Sequence, residues 1–238
     1  MMNTKCILPS IVLLCIIVSD AFGNVTTETL IQQQNARVFL KKVEQKHAII
    51  DTVWGEFEQR KESKLFLENI YSKGKFYFRK PGKFRCDYLP PNESQNLVIS
   101  DTWYIYVPEI KQVEIYHFDK TESKIRKLNQ MLLGFGVSVE DVEEVYDIHQ
   151  AKGNKASSTV RIDFIPKENE EDYSMDTITI KFDRKTLLPT ELFISEEGGD
   201  RTEIFMKKGK TYLNKKLDDS YFKPRFLEYE DVEIIEQY

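Results

Sequence analysis

The chain is poor in the residues that mark most kinds of chemistry. It has 3 cysteines, and two of them, Cys6 and Cys15, lie within the first 23 positions. Only Cys86 remains beyond them, so a chain shortened by that segment has no intramolecular disulfide. It has 3 histidines, His47, His117 and His149, and none sits at a metal-ligand spacing such as H-E-x-x-H. Its 10 glycines form neither a phosphate-cradling loop nor a G-x-S-x-G elbow. Basic charge is not in excess: Lys+Arg number 34 against 39 Asp+Glu, a net charge of -5, which argues against a protein that tracks nucleic-acid phosphates. Past residue 23 no apolar run approaches the ~20 residues of a bilayer-spanning helix. There is no low-complexity bias and no internal repeat. With no catalytic constellation, the sequence predicts no enzyme, no metal and no cofactor.

What is present is aromatic. There are 15 Phe, 12 Tyr and 2 Trp in a chain that is 31% charged, with hydrophobic residues at 41%. That is enough for a substantial core in one domain.

Residues 1–23 read as a cleavable secretory signal. Lys5 is the positive start, Ile7 to Val18 the apolar stretch, and Ala21-Phe22-Gly23 a small-residue cleavage pattern. The remaining domain is residues 24–238. Two other readings stay open: a membrane anchor, for which an apolar stretch of about 12 residues is short, and a lipoprotein signal on Cys15, which follows the bulky Leu14.

Beyond the signal, a helix starts at Thr27, with Glu28 in its first turn and Leu30, Ile31, Val38, Phe39, Val43 and Ile49 at helical spacing. Strands follow at 52–60, 65–79, 83–88, 96–100, 102–107 and 113–118. In the third, Phe84, Cys86 and Tyr88 alternate with Lys83, Arg85 and Asp87, the pattern of a half-buried antiparallel strand. Between about 121 and 144 the period turns helical, interrupted by Gly134 and Gly136. Strands resume around Val160–Phe164, Ile178–Phe182, Leu192–Ile194 and Ile204–Met206. Five carboxylates between Glu228 and Glu236 read as a solvated acidic tail. The fold class is α+β: a strongly curved antiparallel sheet forming an incomplete, half β-barrel with helices on one side.

The informative stretch is Gly74 to Tyr88. Phe76, Phe78 and Lys80 share one strand face, and across the Pro81-Gly82 turn Phe84, Cys86 and Tyr88 form the apolar face of the next strand. Two readings fit: an ordinary sheet core with Lys80 snorkelling at the strand end, or an apolar wall with one polar latch.

Here the sequence resembles the periplasmic outer-membrane lipoprotein carrier family (LolA-like). The resemblance is carried by the order of its motifs. These are Gly74, Phe76 to Phe78, Arg79-Lys80-Pro81 and Phe84 to Tyr88. Ser94 to Asp101, Trp103 to Val107 with Pro108, and Gln112-Val113-Glu114 follow. Met131-Leu132-Leu133, the hairpin Ile178 to Ile194 around Asp183 and Pro189, and Phe222-x-Pro224 complete the series. It implies a half-barrel closed by the N-terminal helix and short lid helices. Its cavity takes lipoprotein acyl chains on their way from the inner to the outer membrane. On that basis the cavity wall is Phe76, Phe78, Phe84, Cys86, Tyr88, Trp103 and Ile105. The lid carries Leu128, Met131, Leu132, Leu133 and Phe135. Lys80 stands where the family has a lid-latching arginine, and lysine lacks the guanidinium fork. Phe84 matches the aromatic that hands cargo on. The implied partners are lipoproteins, an inner-membrane lipoprotein-releasing ABC transporter and an outer-membrane lipoprotein acceptor. The implied state is a periplasmic monomer with no nucleic-acid partner. The alternatives within this architecture are an envelope lipid-binding sensor and a lipidated outer-membrane acceptor.

Overall fold

The structure is a computed structural model that describes residues 26–64, 69–117, 138–152, 156–167, 175–196 and 198–237. Helix α1 (Thr27–Ala48) is capped by Thr26, whose hydroxyl accepts from Thr29 N at 3.2 Å, one residue ahead of the expected cap. Its buried face is Ala36, Leu40, Val43 and His47. This corrects the expected apolar stripe: Leu30, Ile31, Val38 and Ile49 are exposed, Ile49 to 70%. The docked face runs at i, i+4, i+7 and i+11 through an alanine and a histidine, which do not register as an apolar stripe. His47 is accommodated because its Nε2 lies 3.1 Å from the Leu187 carbonyl.

Among the described residues, twelve strands build one sheet. They are β1 (Thr52–Glu62), β2 (Ile70–Arg79), β3 (Lys83–Tyr88), β4 (Ser94–Ile99), β5 (Thr102–Val107), β6 (Gln112–His117), β7 (Tyr146–Gln150), β8 (Thr159–Pro166), β9 (Met175–Asp183), β10 (Pro189–Glu196), β11 (Arg201–Leu213) and β12 (Glu233–Gln237). Helix α2 (Val139–Val145) runs directly into β7. The spatial order is β12-β6-β5-β4-β3-β2-β1-β11-β10-β9-β8-β7, so the sheet is open and not closed into a barrel. All pairs are antiparallel except β12 with β6. This is the expected α+β incomplete barrel. Two strands were not expected: β7, and β12, which takes up part of the acidic tail.

The two faces of the sheet are covered differently. On one face α1 and α2 pack over β7 to β10, around Phe164, Ile178, Ile180 and Phe182. Arg37 and Lys41 of α1 pair with Glu140 of α2 and hold the helices side by side. On the other face the segment after β11 lies across β1 to β6. Its Leu217 and Phe222 bury Leu97, and its Phe226 packs on Tyr106, Val113 and Ile115. The segment is pinned by hydrogen bonds. Arg79 donates to Leu217 O at 2.6 Å, Arg85 to Tyr221 O at 2.8 Å, and Arg225 N to Gln95 Oε1 at 2.9 Å.

Candidate functional site

On the helix-bearing face, the half of the sheet formed by β1 to β5 carries an apolar pocket of about 200 Å³. Strand register builds its wall. Phe76 pairs with Cys86, and Phe78 with Phe84. Cys86 pairs with Asn96, and Phe84 with Val98. Val98 in turn pairs with Trp103. Phe57 closes one side, its ring edge-on to Tyr88 at 5.4 Å. Leu192, Ile204 and Met206 reach in from β10 and β11.

Five of the residues expected in the wall line this pocket: Phe76, Phe84, Cys86, Tyr88 and Trp103. Phe78 is 2% exposed in the adjoining cluster with Val53 and Ile50. Ile105 lies on the same face, between Asn96 and Glu114 in register, outside the pocket lining. The expected lid residues Leu128, Met131, Leu132, Leu133 and Phe135 lie outside the described residues. Phe57, Asn96, Val98, Leu192, Ile204 and Met206 were not expected as wall residues. The alternation of Ile204 and Met206 along β11 was the available signal. Their juxtaposition with β3 is a long-range pairing that no local pattern carries.

The wall is electrically neutral. Burial pushes the Cys86 thiol well above its ordinary range, helped by the nearby Asp87 carboxylate. Burial likewise raises the Tyr88 hydroxyl, which donates to Gln59 Oε1 at 2.7 Å. Both groups therefore stay protonated at neutral pH, and Cys86 behaves as a small apolar residue instead of a nucleophile.

Lys80 leaves the turn after β2 and reaches the end of α1. Its ammonium donates to His47 O at 3.1 Å and Ala48 O at 2.9 Å. These carbonyls belong to the last turn of the helix, where a cation is favoured; the His47 carbonyl also accepts from Ile50 N at 3.0 Å. Arg79, next to it, points to the opposite face and stacks 5.1 Å from the Phe222 ring, as strand parity requires. A second cavity of about 360 Å³ lies between α1, α2 and β8–β9, with Phe164, Ile180 and Phe182 as its floor. Glu44, His47, Lys80 and Asp141 also line it, so it is more polar than the first. Among the described residues no helix is long and apolar enough to cross a membrane.

The family described as outer membrane lipoprotein carrier protein LolA matches residues 48–225. No curated protein matches. Among solved structures, an uncharacterized conserved protein from Thermus thermophilus is similar at TM-score 0.53 and 9% identity. That match covers 86% of this chain and 100% of the other. A LolA superfamily protein from Nitrosomonas europaea aligns at TM-score 0.41 and 8% identity, over 80% of this chain and 98% of its own. The Mycobacterium tuberculosis lipoprotein LppX aligns at TM-score 0.39 and 12% identity, over 81% and 99%. The first of these shares the fold. The family match runs from the end of α1 through the aromatic strands to the segment that covers the opposite face, and by it the chain belongs to the outer membrane lipoprotein carrier protein LolA family.

Proposed function

We propose that the protein is a periplasmic carrier. It takes the acyl chains of lipoproteins into the apolar pocket on β1 to β5 and moves them from the inner to the outer membrane. The observation that carries this reading is the chemistry of the pocket wall. It is aromatic and aliphatic, its thiol and phenol are held neutral, and it is built on paired strands. Burying an acyl chain gains about 0.8 kcal/mol per methylene, so a few buried methylenes suffice for reversible capture. In this reading residues 1–23 are the export signal and residues 24–238 are a single, monomeric lipid-binding domain. The chain receives cargo from an inner-membrane lipoprotein-releasing ABC transporter and delivers it to an outer-membrane lipoprotein acceptor.

The test is Phe84→Glu. Phe84 is only half-buried, so the variant is expected to fold, which circular dichroism checks. An ionised carboxylate in the pocket is costly to desolvate beside an acyl chain. The wild-type protein is expected to purify with acylated protein or lipid, seen by native mass spectrometry, and to pass lipoprotein to acceptor membranes. The folded variant is expected to do neither. Transfer by the variant at the wild-type rate would overturn the proposal.

A further inference from the structure

The pocket wall contains one polar side chain that has no structural task. Asn96 sits on β4 with Cys86 on one side and Ile105 on the other. It is half-buried and lines the pocket. The hydroxyl of the wall is committed: Tyr88 donates to Gln59 at 2.7 Å. Among the described residues none bonds to the Asn96 amide. An amide offers one acceptor oxygen and two N–H donors, and those of Asn96 are not among the sealed, partnerless polar atoms of the described residues, so they remain accessible to a ligand in the pocket. The neighbour across from it on β3 is Cys86, the smallest side chain of the wall, so the amide stays open to the pocket.

The row containing Asn96 is graded. It runs Phe76, Cys86, Asn96, Ile105, Glu114 from β2 to β6, from aromatic to carboxylate. The apolar end lies against Phe57, Ile204 and Met206.

We infer that Asn96 is a specificity residue: it donates to the carbonyl of an ester- or amide-linked acyl chain and thereby fixes the orientation of the ligand. The hydrocarbon lies toward Phe57 and Met206, the carbonyl stands at Asn96, and the group beyond it points toward β6. A free fatty acid is disfavoured in the same pose. Its carboxylate would be desolvated in an apolar pocket that offers it no cation. The site therefore selects acyl esters and amides over both plain hydrocarbons and free fatty acids. This inference rests on the proposed acyl binding.

The experiment displaces the apolar dye N-phenylnaphthylamine from the full-length mature protein with three probes of similar length: methyl laurate, tridecane and lauric acid at pH 8. In the wild type, methyl laurate is expected to bind about three- to tenfold more tightly than tridecane, the worth of one net hydrogen bond. Lauric acid is expected to be the weakest of the three. Asn96→Leu, or Asn96→Val if the first variant folds poorly, is expected to bring methyl laurate to the level of tridecane and leave tridecane unchanged or tighter. If the ester keeps its advantage in a folded variant, Asn96 does not read the carbonyl. If the wild type binds all three probes equally, the inference falls and acyl binding stands. If the wild type binds none, both fall.

Discussion

At the scale of single residues, the pocket depends on what is small as much as on what is aromatic. Gly74 pairs with Phe57 across β1 and β2. A Cβ added there would meet the Phe57 ring and stand 2.6 Å from the Asp87 carbonyl. The ring thus lies over the bare strand and is held there to meet Tyr88, a way of filling a glycine gap in a sheet. Gly74→Ala is expected to cost about 1–3 kcal/mol by overpacking and to weaken dye binding in the pocket, since Phe57 must swing aside. Chemical denaturation and dye titration check both. Lys80 acts at the same scale. Lys80→Met keeps the aliphatic stem and removes the two hydrogen bonds to the end of α1, at an expected cost of about 1–2 kcal/mol after allowing for solvent. Lys80→Arg is expected to recover most of it in the same melting experiment. Much of this was legible in the sequence. The parity of Phe84, Cys86 and Tyr88 against Lys83, Arg85 and Asp87 assigns the two faces of β3 directly. Asn96 was not legible, because β4 carries Leu97 under Phe222 on one face and Val98 in the pocket on the other. A strand buried on both faces shows no alternation, and a polar residue in it signals neither side.

At the scale of elements, the covering segment after β11 is held by charge as well as by apolar contact. Asp219 receives hydrogen bonds from Lys83, at 2.7 Å, and from Arg79. Those bonds, with the two positive charges, pull its carboxyl from 3.8 down to about 2. A carboxylate with a lowered folded-state value contributes stability that is fully present above about pH 4 and is lost as the pH falls toward 2. Asp219→Asn is therefore expected to lower the melting temperature at pH 6 to 7. The gap to wild type should narrow from about pH 4 downward and close near pH 2. A gap that stays constant to pH 2 would show that the charge plays no part in holding the segment. The elements themselves were unevenly readable. Most strands were found by alternation, but β7 follows α2 with no intervening turn residue, Tyr146 being both the C-cap and the first strand residue. β12 offers only Ile234 and Ile235 among carboxylates, and pairs by adding in parallel to the edge of β6. The docked face of α1 was misread for a related reason. Helical spacing marks where apolar residues lie, whereas the surface it meets, Phe164 and Phe182 of the sheet, decides which face is buried.

At the scale of the whole molecule, the open sheet has two apolar faces over β1 to β5, and they have different fates. The face with Leu97, Tyr104, Tyr106 and Trp54 is closed by the chain's own C-terminal segment through Leu217, Phe222 and Phe226. The face with Phe76, Phe84 and Cys86 holds the pocket. Removing the covering segment should therefore create a second dye-binding surface, distinct from the pocket. A chain ending at Leu213 loses three buried anchors, and truncating a buried Phe alone costs about 3–5 kcal/mol. It is expected to melt well below the full-length protein and to aggregate through the newly bared aromatic face. A milder version, Phe222→Ala, is expected to stay folded and to bind an apolar dye with higher stoichiometry than wild type. Methyl laurate should displace only the portion of that dye that Phe84→Glu also removes. The remainder, insensitive to both, belongs to the opposite face. If the ligand instead displaced all of the dye, the two faces would be one connected space, and the division of labour between a self-covered face and a cargo face would be wrong.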